Sequence, residues 1–186
     1  YEYARTKNPS RDVLEKLLAQ IESGHKAFAF ASGMSAINTV CDLFGTNFHI
    51  ICSDDVYGGT RRLFDKVKSD IEVTYIDFDK NVNWNDEIKE NTKFIWVETP
   101  SNPLMKIIDI KNTVSIASEF NLPVICDNTF ASPFNQRPLE LGADMVVSSS
   151  TKYLGGHSDI VGGSIVIKEN KEYDEKISYI QNAVGA

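Results

Sequence analysis

Basic residues are the minority charge in this chain. It has 19 Lys and Arg against 26 Asp and Glu, for a formal net charge of -7 over 186 residues. A nucleic-acid partner requires a basic face that neutralises phosphates, so nucleic acid is excluded as the main partner. No apolar run reaches the ~18 residues of a membrane-spanning helix, and the first residues lack the basic-then-apolar pattern of a secretory signal. Cysteine is rare. Cys41, Cys52 and Cys126 are odd in number, form no CxxC pair and lie in or beside apolar stretches. This predicts buried thiols in a reducing compartment, hence a cytoplasmic protein, rather than a disulfide framework. His25, His49 and His157 stand far apart with no metal-ligand spacing, which predicts no structural zinc. Three motifs are also missing: GxxxxGK[ST], GxSxG and HExxH. Their absence argues against a P-loop, a nucleophile elbow and a zinc peptidase. Asp54 and Asp55 are adjacent carboxylates on one loop that do not face each other, which argues against glycoside chemistry.

Short apolar runs alternate with amphipathic stretches along the chain, and 42% of the residues are hydrophobic. "SRDVLEKLLAQIESG" reads as a helix capped by Ser10, with Val13, Leu14, Leu17, Leu18 and Ile21 on one face and Gly24 as its stop. Strands are expected at 26–31, 48–52, 72–77, 93–98, 123–127 and 144–150, and in "GSIVIK". Helices are expected in "SGMSAINTVCDLF", opened by Ser32, in "GTRRLFDKVKS", in "IKNTVSIASEF" and from Lys171 to Asn182. The polar stretch 79–91 gives no clear element. Strands that are apolar throughout fit a sheet buried on both faces, and their alternation with helices predicts βαβ units and a parallel sheet.

The unusual residues cluster where these strands end. "ASGM", "DDVYGG", "TPSNP", "DNT" and "STKYLGGH" each follow a predicted strand. In open parallel sheets the carboxyl edge holds the ligand, so the loops converge on one crevice. Taken singly, a loop lysine is ordinarily a solvated charge, Asp127 a turn residue, Tyr57 a surface aromatic and a glycine after a strand a turn. Together they meet the needs of an aromatic aldehyde phosphate. Lys152 offers the amine for an imine, and Asp127 a carboxylate for a ring nitrogen. Tyr57 offers a flat face for stacking. Gly33 and Met34 open a helix whose free N–H groups favour an anion, and Ser149 and Thr151 add hydroxyls.

In family order, "YEYARTKNPSR", "FASGMSA", "DDVYGGT", "ETPSNP", "DNTFASP" and "STKYLGGHSDIVGG" resemble the motifs of the cystathionine-metabolising pyridoxal-phosphate enzymes: cystathionine gamma-lyase, beta-lyase, gamma-synthase and relatives. The resemblance implies an α/β, aspartate-aminotransferase-like (fold type I) large domain over residues 1–186, with a mostly parallel sheet and helices on both faces. It implies pyridoxal 5'-phosphate as cofactor, with Lys152 as its covalent anchor and later proton carrier. Asp127 is implied at the ring nitrogen, Tyr57 on the ring, Asn102 near the ring hydroxyl, and Gly33, Met34, Ser149 and Thr151 on the phosphate. Tyr3 and Arg5 match a pair that completes the phosphate site of a neighbouring subunit, which implies a homo-oligomer with shared sites, a tetramer of two dimers.

The implied activity is carbon–sulfur lysis of cystathionine or a similar thioether in transsulfuration, with gamma-synthase and beta-lyase as alternatives and a non-catalytic scaffold of the same fold as the reading from another class. Relatives that cleave methionine often carry cysteine where this chain has Gly59, so methionine cleavage is not expected. The family pattern also implies an amino-terminal arm before Tyr1 and a smaller carboxyl-terminal domain after Ala186, carrying the arginine for the substrate carboxylate.

Overall fold

The computed structural model describes residues 1–185 and places seven strands in one sheet. These are β1 (Lys26–Phe30), β2 (His49–Ser53), β3 (Glu72–Ile76), β4 (Thr92–Glu98), β5 (Val124–Asp127), β6 (Met145–Ser148) and β7 (Gly163–Ile167). Their order across the sheet is β1-β7-β6-β5-β4-β2-β3. Strands β3, β2, β4, β5 and β6 run parallel, and β7 is antiparallel to both β6 and β1. β1 therefore points the same way as β6. The carboxyl ends of all five strands that precede the unusual motifs lie along one edge.

Alternating side chains of each strand enter opposite faces. On one face Phe28, Ile50, Trp96, Ile125, Val147 and Ile165 pack against α2 (Gly33–Leu43) and Ile177 of α7 (Lys171–Val184). On the other, Ala27, Val146 and Val166 meet Leu18 and Ala19 of α1 (Pro9–Ile21). That second face continues with Ile51, Val97 and Cys126, packed with Ile110 and Ala117 of α5 (Ile110–Glu119). Every position of β2, β5, β6 and β7 is buried, as two covered faces require. All three cysteines are free and buried.

The helix ends carry the departures from the sequence reading. Asn8, not Ser10, caps α1: its Oδ1 accepts the N–H groups of Ser10 at 2.9 Å and Arg11 at 3.2 Å, and Pro9 fills the first helical position, where its missing N–H costs nothing. Only part of the expected apolar face of α1 is covered, since Leu18 is buried while Val13, Leu14 and Leu17 are exposed. Ser23, not Gly24, takes the left-handed conformation after that helix, with φ 57°. The expected helix after β2 is split into α3 (Gly58–Arg62) and a π-turn at Leu63–Val67. Within the stretch 79–91 the described element is one short helix, α4 (Trp84–Glu87). α6 (Ser132–Asn135) follows β5. Among the described residues no helix is long and apolar enough to cross a membrane.

Candidate active site

α2 starts directly after β1 because Ser32 accepts the N–H of Ser35 at 3.0 Å, and the Ser35 hydroxyl accepts the N–H of Ser32 at 3.0 Å. The amides of Gly33 and Met34 lie in the first turn, where no intrahelical acceptor exists, and no described side chain accepts from them. Gly33 also lies against the loop after β6. A Cβ on it would lie 2.7 Å from Ser149 Cβ and 3.0 Å from Ser149 Cα, so only glycine lets the two segments meet this closely. Thr151 is fixed in the same loop by Gly162: its Oγ1 donates to the Gly162 carbonyl at 3.2 Å and accepts the Gly162 N–H at 3.0 Å. Gly33, Met34, Ser149 and Thr151 thus lie in two segments held in contact across β7.

Asp127 ends β5, and its Cα pairs in register with that of Glu98 at the end of β4. Both carboxyls are nearly closed off, 6% and 5% exposed. Asp127 Oδ1 accepts the Thr129 N–H at 3.0 Å, and Thr129 Oγ1 in turn accepts the Ser149 N–H at 2.8 Å, which links the acid to the lysine loop. Among the described residues no cation pairs with Asp127. Burial raises the Asp127 carboxyl above its ordinary value. Burial, with the neighbouring Asp127 charge adding to it, pushes Glu98 up to about 8. Two adjacent buried acids share one charge more readily than two, so a cationic N–H at Asp127 relieves the pair.

Lys152 is exposed, and among the described residues its amine makes no hydrogen bond or ion pair. Its backbone is set by its own N–H on the Ser149 carbonyl at 3.1 Å and by the Gly156 N–H on its carbonyl at 2.8 Å. Tyr57 is half-exposed, and its ring fills the space beside Gly59. A Cβ on Gly59 would lie 2.3 Å from Tyr57 Cε1 and 2.9 Å from the Met34 sulfur, which puts Tyr57 near the start of α2. Asn102 leaves its side chain exposed while its N–H is taken by Glu98 Oε1 at 2.8 Å. Tyr3 and Arg5 do not join these residues. The Arg5 guanidinium donates to the Asn182 carbonyl on α7 and lies 5.2 Å from the centre of the Tyr3 ring.

Two participants escaped the residue-by-residue reading. Glu98 closes an apolar strand with an acid, as Asp127 does, and that shared pattern was the available signal. Thr129 acts through a hydroxyl-to-backbone bond that no spacing reveals. Chemically, the edge offers a seat for an anion at the start of α2, an unpaired buried acid, a flat aromatic and an unengaged amine. Those are the four groups an aromatic aldehyde phosphate with a basic ring nitrogen requires.

Comparison with known proteins agrees with this chemistry. The family profile described as Cys/Met metabolism PLP-dependent enzyme matches residues 1–186. A cystathionine beta-lyase of Coxiella burnetii is 47% identical over all of this chain and 49% of its own length. A cystathionine gamma-lyase of Bacillus subtilis is 48% identical over all of this chain and 49% of its own. The crystal structure of cystathionine gamma-lyase from Lactobacillus plantarum complexed with L-serine superimposes with a TM-score of 0.94 at 49% identity, covering 100% of this chain and 49% of that one. That of metB from Corynebacterium glutamicum gives 0.95 at 42%, with the same coverage. The chain spans about half the length of the curated relatives it matches. A sheet of this topology, with a lysine loop, a buried acid and a helix start at one edge, together with that match over its whole length, makes the chain a member of the Cys/Met metabolism PLP-dependent enzyme family.

Proposed function

We propose that the protein is a pyridoxal-phosphate-dependent carbon–sulfur lyase of the gamma-lyase kind, releasing a thiol amino acid, a keto acid and ammonia from cystathionine or a similar thioether. The observation that carries this reading is the convergence of an unengaged Lys152 amine, an unpaired buried Asp127 and the open start of α2 on one sheet edge. The residues fit the cofactor: among the described residues no cation pairs with Asp127, and the cradle at Gly33 has no room for a Cβ.

When bound, the cofactor supplies an electron-withdrawing ring that stabilises negative charge at the substrate's α carbon. The chain's own groups do the rest. Lys152 Nζ would anchor the cofactor's aldehyde and, when freed by a substrate amine, would be the base for the α proton. For loss of a γ-sulfur leaving group the same nitrogen would first hand the α proton back to the bound cofactor–substrate adduct and, neutral again, take a second proton at Cβ. Asp127 accepts the ring N–H and keeps it protonated by opposite charge. Tyr57 would cover the ring and assist proton transfer, and Asn102 would meet the ring hydroxyl. The N–H groups of Gly33 and Met34 and the hydroxyls of Ser149 and Thr151 hold the phosphate. Tyr3 and Arg5, both exposed and off this chain's own site, serve a neighbouring copy, where a guanidinium forks onto phosphate oxygens.

The test is spectroscopic and kinetic. The protein reconstituted with pyridoxal phosphate is expected to show a visible band that borohydride removes, and to form keto acid from cystathionine. Lys152→Ala is expected to lose both, and turnover at the parent's rate in that variant refutes the role of Lys152. A parent that stays colourless supports the scaffold reading instead. The second reading, gamma-synthase, is favoured by a relative named probable cystathionine gamma-synthase, from Herpetosiphon aurantiacus, that is 48% identical over the chain. Formation of cystathionine from an activated homoserine and cysteine separates it from the lyase.

A further inference from the structure

Glu98 is buried beside Asp127, and among the described residues it has no cationic partner. Its two oxygens are used separately. Oε2 accepts the N–H of Tyr57 at 2.9 Å, and Oε1 accepts the N–H of Asn102 at 2.8 Å. These amides belong to different loops, one after β2 and one after β4. Tyr57 stands just ahead of α3 with no side-chain cap on that helix, so the bond to Glu98 is a specific tether at this point. A second acid, Asp55, ties the same loops at other atoms: it accepts from the Ser101 hydroxyl and from the Leu104 N–H at 2.9 Å. Both acids therefore tie the two loops, but at different atoms, and of the two only Glu98 accepts the amides of Tyr57 and Asn102.

We propose that Glu98 is a positioning residue: by holding the Tyr57 and Asn102 amides on its two oxygens, it sets how those side chains meet the cofactor ring. The inference rests on the cofactor reading given under Proposed function. Its physical basis is acceptor count. Ionised or protonated, a carboxyl keeps lone pairs on both oxygens for N–H donors, whereas the glutamine isostere turns one end into an NH2 that cannot accept an N–H. Glu98→Gln must release one of the two loops and leave a buried N–H without a partner.

In the intact, cofactor-loaded protein, Glu98→Gln is expected to keep the borohydride-sensitive band on Lys152 and to hold the cofactor about ten-fold more weakly. It is also expected to change the induced circular dichroism of that band and to speed amide hydrogen exchange at Tyr57 or Asn102. Asp55→Asn, which loosens the loops at Ser101 and Leu104, is expected to lower the melting temperature while leaving the dichroism per bound cofactor unchanged. Parent-like affinity and dichroism in Glu98→Gln overturn the proposal. So does altered dichroism with unchanged exchange at both amides, since the effect then runs through Asp127. Should Glu98→Gln fail to fold, the parent decides: slow exchange at both amides supports the tether and fast exchange overturns it. A parent that takes up no pyridoxal phosphate refutes the cofactor reading, and that failure shows in the parent rather than in the variant.

Discussion

Glu22 follows the last turn of α1 and is 1% exposed. Its oxygens accept from Asn128 Nδ2 at 3.3 and 3.4 Å, and Asn128 also donates to the Gln136 carbonyl at 2.8 Å. Burial pushes this carboxyl from the ordinary 4.5 up to about 7. As pH rises, the unfolded chain releases this proton first, so the folded state loses its relative advantage between pH 4.5 and about 7. The loss is on the order of 3 kcal/mol. Glu98, raised to about 8, acts with the same sign in the cofactor-free protein. Glu22→Gln, neutral at every pH, is expected to melt above the parent beyond pH 7, with the gap closing toward pH 4.5. Thermal denaturation across that range checks it, and a gap independent of pH rules out the ionisation argument.

At the level of elements, the decisive contact is α2 against the loop after β6. Gly33→Ala places a methyl 2.7 Å from Ser149 Cβ, and neither neighbour is a flexible tip that moves aside. The expected cost is about 1–3 kcal/mol in stability, with weaker binding of pyridoxal phosphate, read by melting and by titration of the visible band. Most elements were legible because the apolar runs are short, separate and bounded by capping or turn residues; Ser32 before α2 is one such case. The cap of α1 was misread at Ser10, although Pro9, a favoured first helical residue, marks Asn8 just ahead of it as the cap. Nor does the buried pattern of β7 reveal its direction, because a strand covered on both faces is apolar whichever way it runs. In the site, Lys152, Asp127 and Gly33 stood out by residue type and place. Glu98 did not, because its contribution passes through the backbone N–H groups of other residues.

For the whole molecule, the proposed completion of the site by a neighbouring copy has a direct test. Tyr3 and Arg5 are exposed and engaged with each other and with α7 rather than with the sheet edge. Shared sites predict complementation. Lys152→Ala and Arg5→Ala proteins, each inactive or weakened alone, are expected to regain cystathionine cleavage when unfolded and refolded as a mixture, because a hybrid dimer contains one site with both residues intact. Activity no higher than the sum of the separate proteins argues that each site is built within one chain.

The antiparallel insertion of β7 also has a temporal consequence. Among the described residues β1 pairs with no strand except β7, and β7 lies between β1 and β6. On the ribosome β1 emerges early and must wait, edge bare, until Ile167 has left the exit tunnel. The close approach of Gly33 to Ser149 is therefore made late in the translation of this region, once β7 has bridged β1 and β6.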